Sequence, residues 1–170
     1  MSSNRPERPE AEGATSDCAE PRRRGGTEVI EVSGPSDVEA RIELQLSQCR
    51  RRRSVLALLC VSVRDMQWAP GAWNLGYERE VRDEVTQRIC NGVRSVDRVL
   101  RESERDACVL LPDATEATAL RVAKRLERSL NGRYRVADQL VQVAVRISMA
   151  AHPEDGSRAA ELLQRACERG

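Results

Sequence analysis

The chain has 170 residues, 40% of them hydrophobic, with no Phe, two Trp and two Tyr, so the core must be aliphatic and aromatic platforms for single-stranded nucleic acid are not expected. Charged residues make up 32%, yet the net charge is +1, which gives no drive toward nucleic acid or a membrane surface. The six Cys are scattered without a Cys-x-x-Cys and His152 is the lone His, so metal-ligand spacing is absent and reduced thiols in a cytoplasmic protein are expected. Of the basic residues only Lys124 is lysine, which spreads planar, bidentate arginine donors over the surface.

Residues 1–35 are rich in Pro, Glu, Arg, Gly and Ser and read as a disordered N-terminal tail, with one sticky apolar patch, "VIEV", and a solvated charge cluster, "RRRGG". No apolar h-region opens the chain and the longest apolar run covers residues 55–61, so neither a signal peptide nor a membrane span is expected. The folded domain is expected over residues 36–170. Its first helix, "PSDVEARIELQLSQCR", starts at a Ser36 or Asp37 cap and places apolar residues at 38, 42, 46 and 49. "SVLALLCVSV" (54–63) follows as a strand buried on both faces, and "RDMQWAPGAWNLG" as a loop. Val81, Val85, Ile89 and Val93 then recur at helical steps in a second helix.

"DRVL", "RESERD" and "ACVLL" read as strand, turn and strand. The next helix carries Leu120, Ala123, Leu126 and Leu130 on one face, Arg121, Arg125 and Arg128 on the other, and stops at Asn131-Gly132. "LVQVAVRISMA" alternates as a strand, and "SRAAELLQRACERG" is a last helix. The expected class is α/β (α+β), one sheet covered by helices.

Three pieces in this order resemble one family, the diguanylate cyclase domain named for its Gly-Gly-Asp-Glu-Phe signature. "VLALLCVSVRDM" sits where that family has an apolar strand ending in Asp-x-Asp. "VRSVDRVLRESERDACVLLPDATEATALRVAKRLE" matches its Val-Arg-x-x-Asp, signature, Pro-Asp and helix. "VRISMAAHPEDGSRAAELLQRA" matches its strand, Pro-x-Asp-Gly turn and Leu-Leu-x-x-Ala helix. The resemblance covers roughly residues 38–168 and implies a palm-like nucleotidyl-cyclase (GGDEF) fold, a central, mostly antiparallel sheet flanked by helices, with the signature at a hairpin tip. The chain stops before the family's usual Ala-x-Tyr-x-Ala-Lys stretch, which reads as a shortened last helix or a truncation.

Active relatives join two GTP molecules into cyclic di-GMP by two-metal phosphoryl transfer, which needs metal-binding carboxylates and a backbone open to phosphate. Matched residue by residue, the signature here is degenerate. Ser103 and Glu104 stand for its glycines, Arg105 for an acidic metal ligand and Ala107 for Phe. The strand-end aspartates are Ser62 and Arg64, Met66-Gln67 replace Phe-Lys, and the guanine-reading positions fall at Pro70 and Arg79. Asp65 and Asp106 are each one residue off register. The expectation is therefore no catalytic residue, no metal, no cofactor and no enzyme activity.

The family's second nucleotide site is marked by Arg-x-x-Asp before the signature, and Arg94-Ser95-Val96-Asp97 has that spacing, with Arg125 where relatives place a further arginine. These residues imply a cyclic di-GMP receptor. An Arg fork donates to guanine O6 and N7, and a carboxylate accepts from N1 and N2 or fixes the Arg. Arg94 and Asp97 also fit a plain surface ion pair, worth at most about 1 kcal/mol. The arginine run at 50–53 reads either as a bridge to bound nucleotide or as a solvated helix end. Trp68 and Trp73 are expected to cover the core's edge or offer a partner surface, and His152 to lie in a loop. The expected partners are cyclic di-GMP, an unidentified protein and a second copy in a homodimer. The alternative is a nucleotide-independent interaction (scaffold) domain of the same fold.

Overall fold

The computed structural model describes residues 26–102 and 106–169. In chain order they form β1 (Glu28–Glu31), α1 (Pro35–Arg52), β2 (Leu56–Trp68), α2 (Leu75–Gly92), β3 (Arg98–Arg101), β4 (Asp106–Pro112), α3 (Glu116–Leu130), β5 (Gly132–Val136), β6 (Gln139–His152) and α4 (Ala159–Glu168). The six strands make one sheet in the order β1-β3-β4-β2-β6-β5, with β1 parallel to β3 and the other pairings antiparallel. This is the mostly antiparallel, helix-flanked α/β sheet expected from the sequence.

Strand alternation sorts the core into two layers. From β2, Ala57, Leu59 and Val61 pack with Val81, Val85 and Ile89 of α2 and Leu126 and Leu130 of α3. Leu56 and Leu58 pack on the other face with Ile42 and Leu46 of α1 and Leu162 of α4. Burial on both faces explains the continuous apolar run that marked this strand.

The sheet is larger than the expected one, and the additions share a cause. β1 falls in the stretch read as tail. "EVIE" is too short and too acidic to stand alone, and it becomes a strand because β3 offers a paired edge and opposite charge, Glu28 meeting Arg98 and Glu31 meeting Arg101 at 2.7 Å. Residues 1–25 of that tail, which hold all of "RRRGG" except Gly26, lie outside the described residues. β5, read as the stop after α3, exists because Tyr134 and Val136 point inward while Arg133 and Arg135 stay exposed. Tyr134 is fully buried, donates its hydroxyl to Leu130 O at 2.7 Å and lies under the Arg88 guanidinium at 3.8 Å.

β2 also runs to Trp68, through the part read as loop. It pairs with β6 over that whole length, with a bulge between Val63 and Asp65. A bulge breaks the period of two, so the alternation was unreadable there. Trp68 packs against the core edge and stacks on Tyr77 at 6.5 Å between ring centroids, whereas Trp73 stays exposed. On α3 the buried face is Ala119, Ala123, Leu126 and Leu130, and Leu120 is exposed. His152 ends β6, buried, with its Nδ1 2.9 Å from Gly156 O, so it is not the loop residue expected. Among the described residues no helix is long and apolar enough to cross a membrane.

Glu43 of α1 caps α4 across the chain, accepting from Ala159 N–H at 3.0 Å, and pairs with Arg50 at 2.9 Å. The Ala159 N–H, then Arg50, hold its carboxyl below the usual glutamate value. A carboxylate more acidic when folded contributes fully above its unfolded value and loses that contribution as pH falls through the lowered folded value. Glu43→Gln keeps an oxygen for the Ala159 N–H but removes the charge, so it is expected to cost up to about 1 kcal/mol at pH 7, the size of a helix-terminus and exposed ion-pair contribution. The urea midpoints of wild type and variant should converge as pH falls from about 5 to about 3; a gap independent of pH would contradict the charged cap.

Candidate functional site

Arg94 to Asp97 form the tight turn between α2 and β3, closed by Asp97 N–H donating to Arg94 O at 3.0 Å. Asp97 is 1% exposed. Its carboxylate accepts the Arg94 backbone N–H at 2.7 Å, Nε at 3.2 Å and Nη2 at 2.8 Å. Nη2 also donates to Pro112 O, at 2.9 Å, at the end of β4. Asp97 is thus not an exposed acceptor. It is the anchor that fixes a guanidinium whose side chain is still 52% exposed, and its hydrogen bonds push the Arg94 guanidinium further up from an already high value.

Arg125 projects from α3 and donates from Nη2 to Gly92 O, two residues before Arg94. That approach depends on Gly92, where a Cβ would lie 2.5 Å from Leu126 Cδ2. The fold therefore brings Arg94, Asp97 and Arg125 to one turn. Thr27, unremarked in the sequence, joins them by donating its hydroxyl to Arg94 O at 3.1 Å and Cys90 O at 3.3 Å. Neither Thr27 nor the Pro112 carbonyl carried a sequence signal, because each acts at a distance set by sheet pairing.

Asp113 N–H donates to Val55 O at 2.9 Å, which brings the end of β4 beside the segment that leaves α1. The arginines at 50–53 thus sit at the same end of the sheet as Arg94. Arg50 is bound to Glu43 and to Ser157 O, while Arg51, Arg52 and Arg53 are exposed.

At the opposite ends of β3 and β4, the connecting residues Ser103, Glu104 and Arg105 lie outside the described residues. Ser62 pairs with Asp106 on one side and Arg146 on the other. A cleft of about 320 Å³ lies between the end of β2 and α2, lined by Val63, Arg64, Asp65, Met66, Trp68, Trp73, Glu78 and Arg82. Asp65 accepts from Gln67 Nε2 at 2.9 Å, and Glu78 takes both Arg82 and, at 3.1 Å, Trp73 Nε1. Among the described residues no group of three or more His, Cys, Asp or Glu could hold a metal ion. Pro70 lies in the loop between β2 and α2, outside the cleft lining, and Arg79 is near the start of α2.

Known proteins share this architecture. Response regulator PleD of Caulobacter vibrioides is 32% identical over 92 residues, covering 52% of this chain and 20% of PleD, so the chain spans about a fifth of that relative's length. The structure of an N-terminally shortened TpbB (YfiN) from Pseudomonas aeruginosa, comprising only its GGDEF domain, superposes with a TM-score of 0.63 at 25% identity, covering 80% of each chain. The FimX GGDEF domain, also from Pseudomonas aeruginosa, reaches 0.67 at 14% identity over 76% of this chain and 81% of that one, a likeness of fold. The family model described as "Diguanylate cyclase, GGDEF domain" matches residues 37–169, and with the sheet order and strand pairing in place the chain belongs to the GGDEF-domain family.

Proposed function

We propose that this GGDEF domain is catalytically inactive and serves as a cytoplasmic receptor for cyclic di-GMP, with Arg94 and Arg125 as its donors and Asp97 as the group that orients Arg94. The observation that carries this reading is the clamp of Asp97 on Arg94, with Arg125 hydrogen-bonded two residues upstream at Gly92. Pre-oriented guanidiniums suit a guanine edge and a phosphate better than mobile ones, because the entropy of ordering them is already spent in folding. Binding would be read out by self-association or by docking of a protein partner.

The residues around the cleft do not fit a pair of divalent cations. A guanidinium, Arg64, lines it, and its carboxylates Asp65 and Glu78 are held by Gln67, Arg82 and Trp73. No phosphoryl-transfer step is assigned to them. GTP incubated with the chain and Mg²⁺ or Mn²⁺ should yield no cyclic di-GMP, and any product above the no-protein control defeats the inactive reading.

Titration calorimetry with cyclic di-GMP tests the receptor directly. Wild type should bind in the micromolar range or better. Arg125→Ala, at an exposed position, should weaken binding at least tenfold while circular dichroism stays unchanged, and Arg94→Ala should abolish it. Absence of heat from wild type at tens of micromolar, or wild-type affinity in both variants, rejects it. A nucleotide-independent interaction domain is the second reading, and its supporting observation is the adjacent exposure of Trp73 at 60% and Leu75 at 63% where the β2–α2 loop enters α2.

A further inference from the structure

Cys60 of β2 and Cys108 of β4 are directly opposed in the antiparallel register, and their Sγ atoms are 3.9 Å apart. Both are present as thiols. Opposed residues of an antiparallel pair have Cα atoms about 4.5–5.5 Å apart, inside the range of about 4.4–6.8 Å that a disulfide spans. Closing the bond to about 2.05 Å requires the two side chains to rotate toward each other. Cys60 is partly exposed at the margin of the α1/α4 layer, whereas Cys108 is 5% exposed beside it. Cys60 is therefore the more accessible residue of the two, and Cys108 lies beside it, placed to resolve it. Cys49 and Cys90, at helix positions, have no such strand partner.

We propose that Cys60 and Cys108 are a redox modification site that closes into a reversible cross-strand disulfide. With a peroxide as oxidant, the Cys60 thiolate attacks the peroxide oxygen, forming a sulfenic acid and releasing the first water after protonation. The Cys108 thiolate then attacks the sulfenic sulfur, the S–S bond forms and the S–O bond breaks, and the second water leaves. Two thiols and one peroxide give one disulfide and two waters. A small-molecule dithiol reverses the step by exchange. The bond would tie β2 to β4 two register pairs inside Ser62–Asp106, near the start of β4. It closes a loop across a separation of 48 residues and so restricts the unfolded chain strongly. The proposal does not depend on nucleotide binding.

The test treats the native full chain with hydrogen peroxide, alkylates the remaining thiols and maps tryptic peptides without reduction. The expected result is one linked pair joining the Cys60 and Cys108 peptides, two hydrogens lighter than its parts and released by dithiothreitol. Oxidised protein should melt several degrees higher than reduced, and Cys60→Ser and Cys108→Ser should each lose both the link and that shift while folding as wild type. Recovery of Cys60 and Cys108 as separate alkylated peptides overturns the proposal. So does a link from either to Cys90 or Cys167, or a link that forms only in urea.

Discussion

Asp97→Ala is expected to lower stability by roughly 2–3 kcal/mol and to erase cyclic di-GMP binding with it. The buried carboxylate satisfies the Arg94 backbone N–H and two positions of its guanidinium. Its loss leaves the partly buried Arg94 N–H unpaired, at a cost of about 1–3 kcal/mol. Breaking a fully buried ion pair costs about 3–5 kcal/mol, but here water rehydrates the half-exposed Arg94 side chain, so the lower figure governs. The urea midpoint should fall accordingly. Asp97→Asn keeps the shape and an acceptor for the backbone N–H, so it should recover much of the stability and little of the affinity, because a neutral amide no longer holds the cation. Equal recovery of both would mean that Asp97 acts on the turn alone, and no stability loss in Asp97→Ala would contradict the anchoring geometry.

The second large effect is at Gly92. An added Cβ would meet Leu126 Cδ2 at 2.5 Å, and Leu126 is fully buried, so the side chain has little room to yield. Overpacking of this kind costs about 1–3 kcal/mol, reduced by up to about 1 kcal/mol because alanine is the better helix former. Gly92→Ala is therefore expected to destabilise by about 1–2 kcal/mol, and by pushing α3 outward to draw Arg125 off the Gly92 carbonyl and weaken nucleotide binding. A double-mutant cycle isolates the cause. Leu126→Ala alone should cost about 2–5 kcal/mol, and in that background Gly92→Ala should become neutral or stabilising. Additive costs would show that the two sites do not touch.

Both predictions concern the same turn, and the geometry of this candidate site was only half legible in the sequence. Arg94-x-x-Asp97 and Arg125 could be picked out by spacing against a family pattern. That Asp97 faces inward and clamps Arg94 could not, since exposure of a turn carboxylate depends on what packs over it. Gly92 gave no signal either, because a helix-terminal glycine looks like an ordinary stop, and its contact with Leu126 joins residues 34 positions apart.

The sequence by itself determined the helices, the central strand and the family. Periods of 3.6 and 2 are local properties of the chain, and a short, β-branched and aliphatic run apolar at every position suits a strand buried on both faces. It also determined which residue types stand at positions 103–107 and at the turn from Arg94 to Asp97. Only the tertiary structure decided the sheet's extent. Glu28–Glu31 becomes a strand because β3 supplies both backbone partners and arginines, Gly132–Val136 because Tyr134 finds a buried site, and residues 64–68 because pairing with β6 continues past a bulge. Edge strands and bulges are stabilised by hydrogen bonds to distant segments, so no window of neighbouring residues contains the information that creates them.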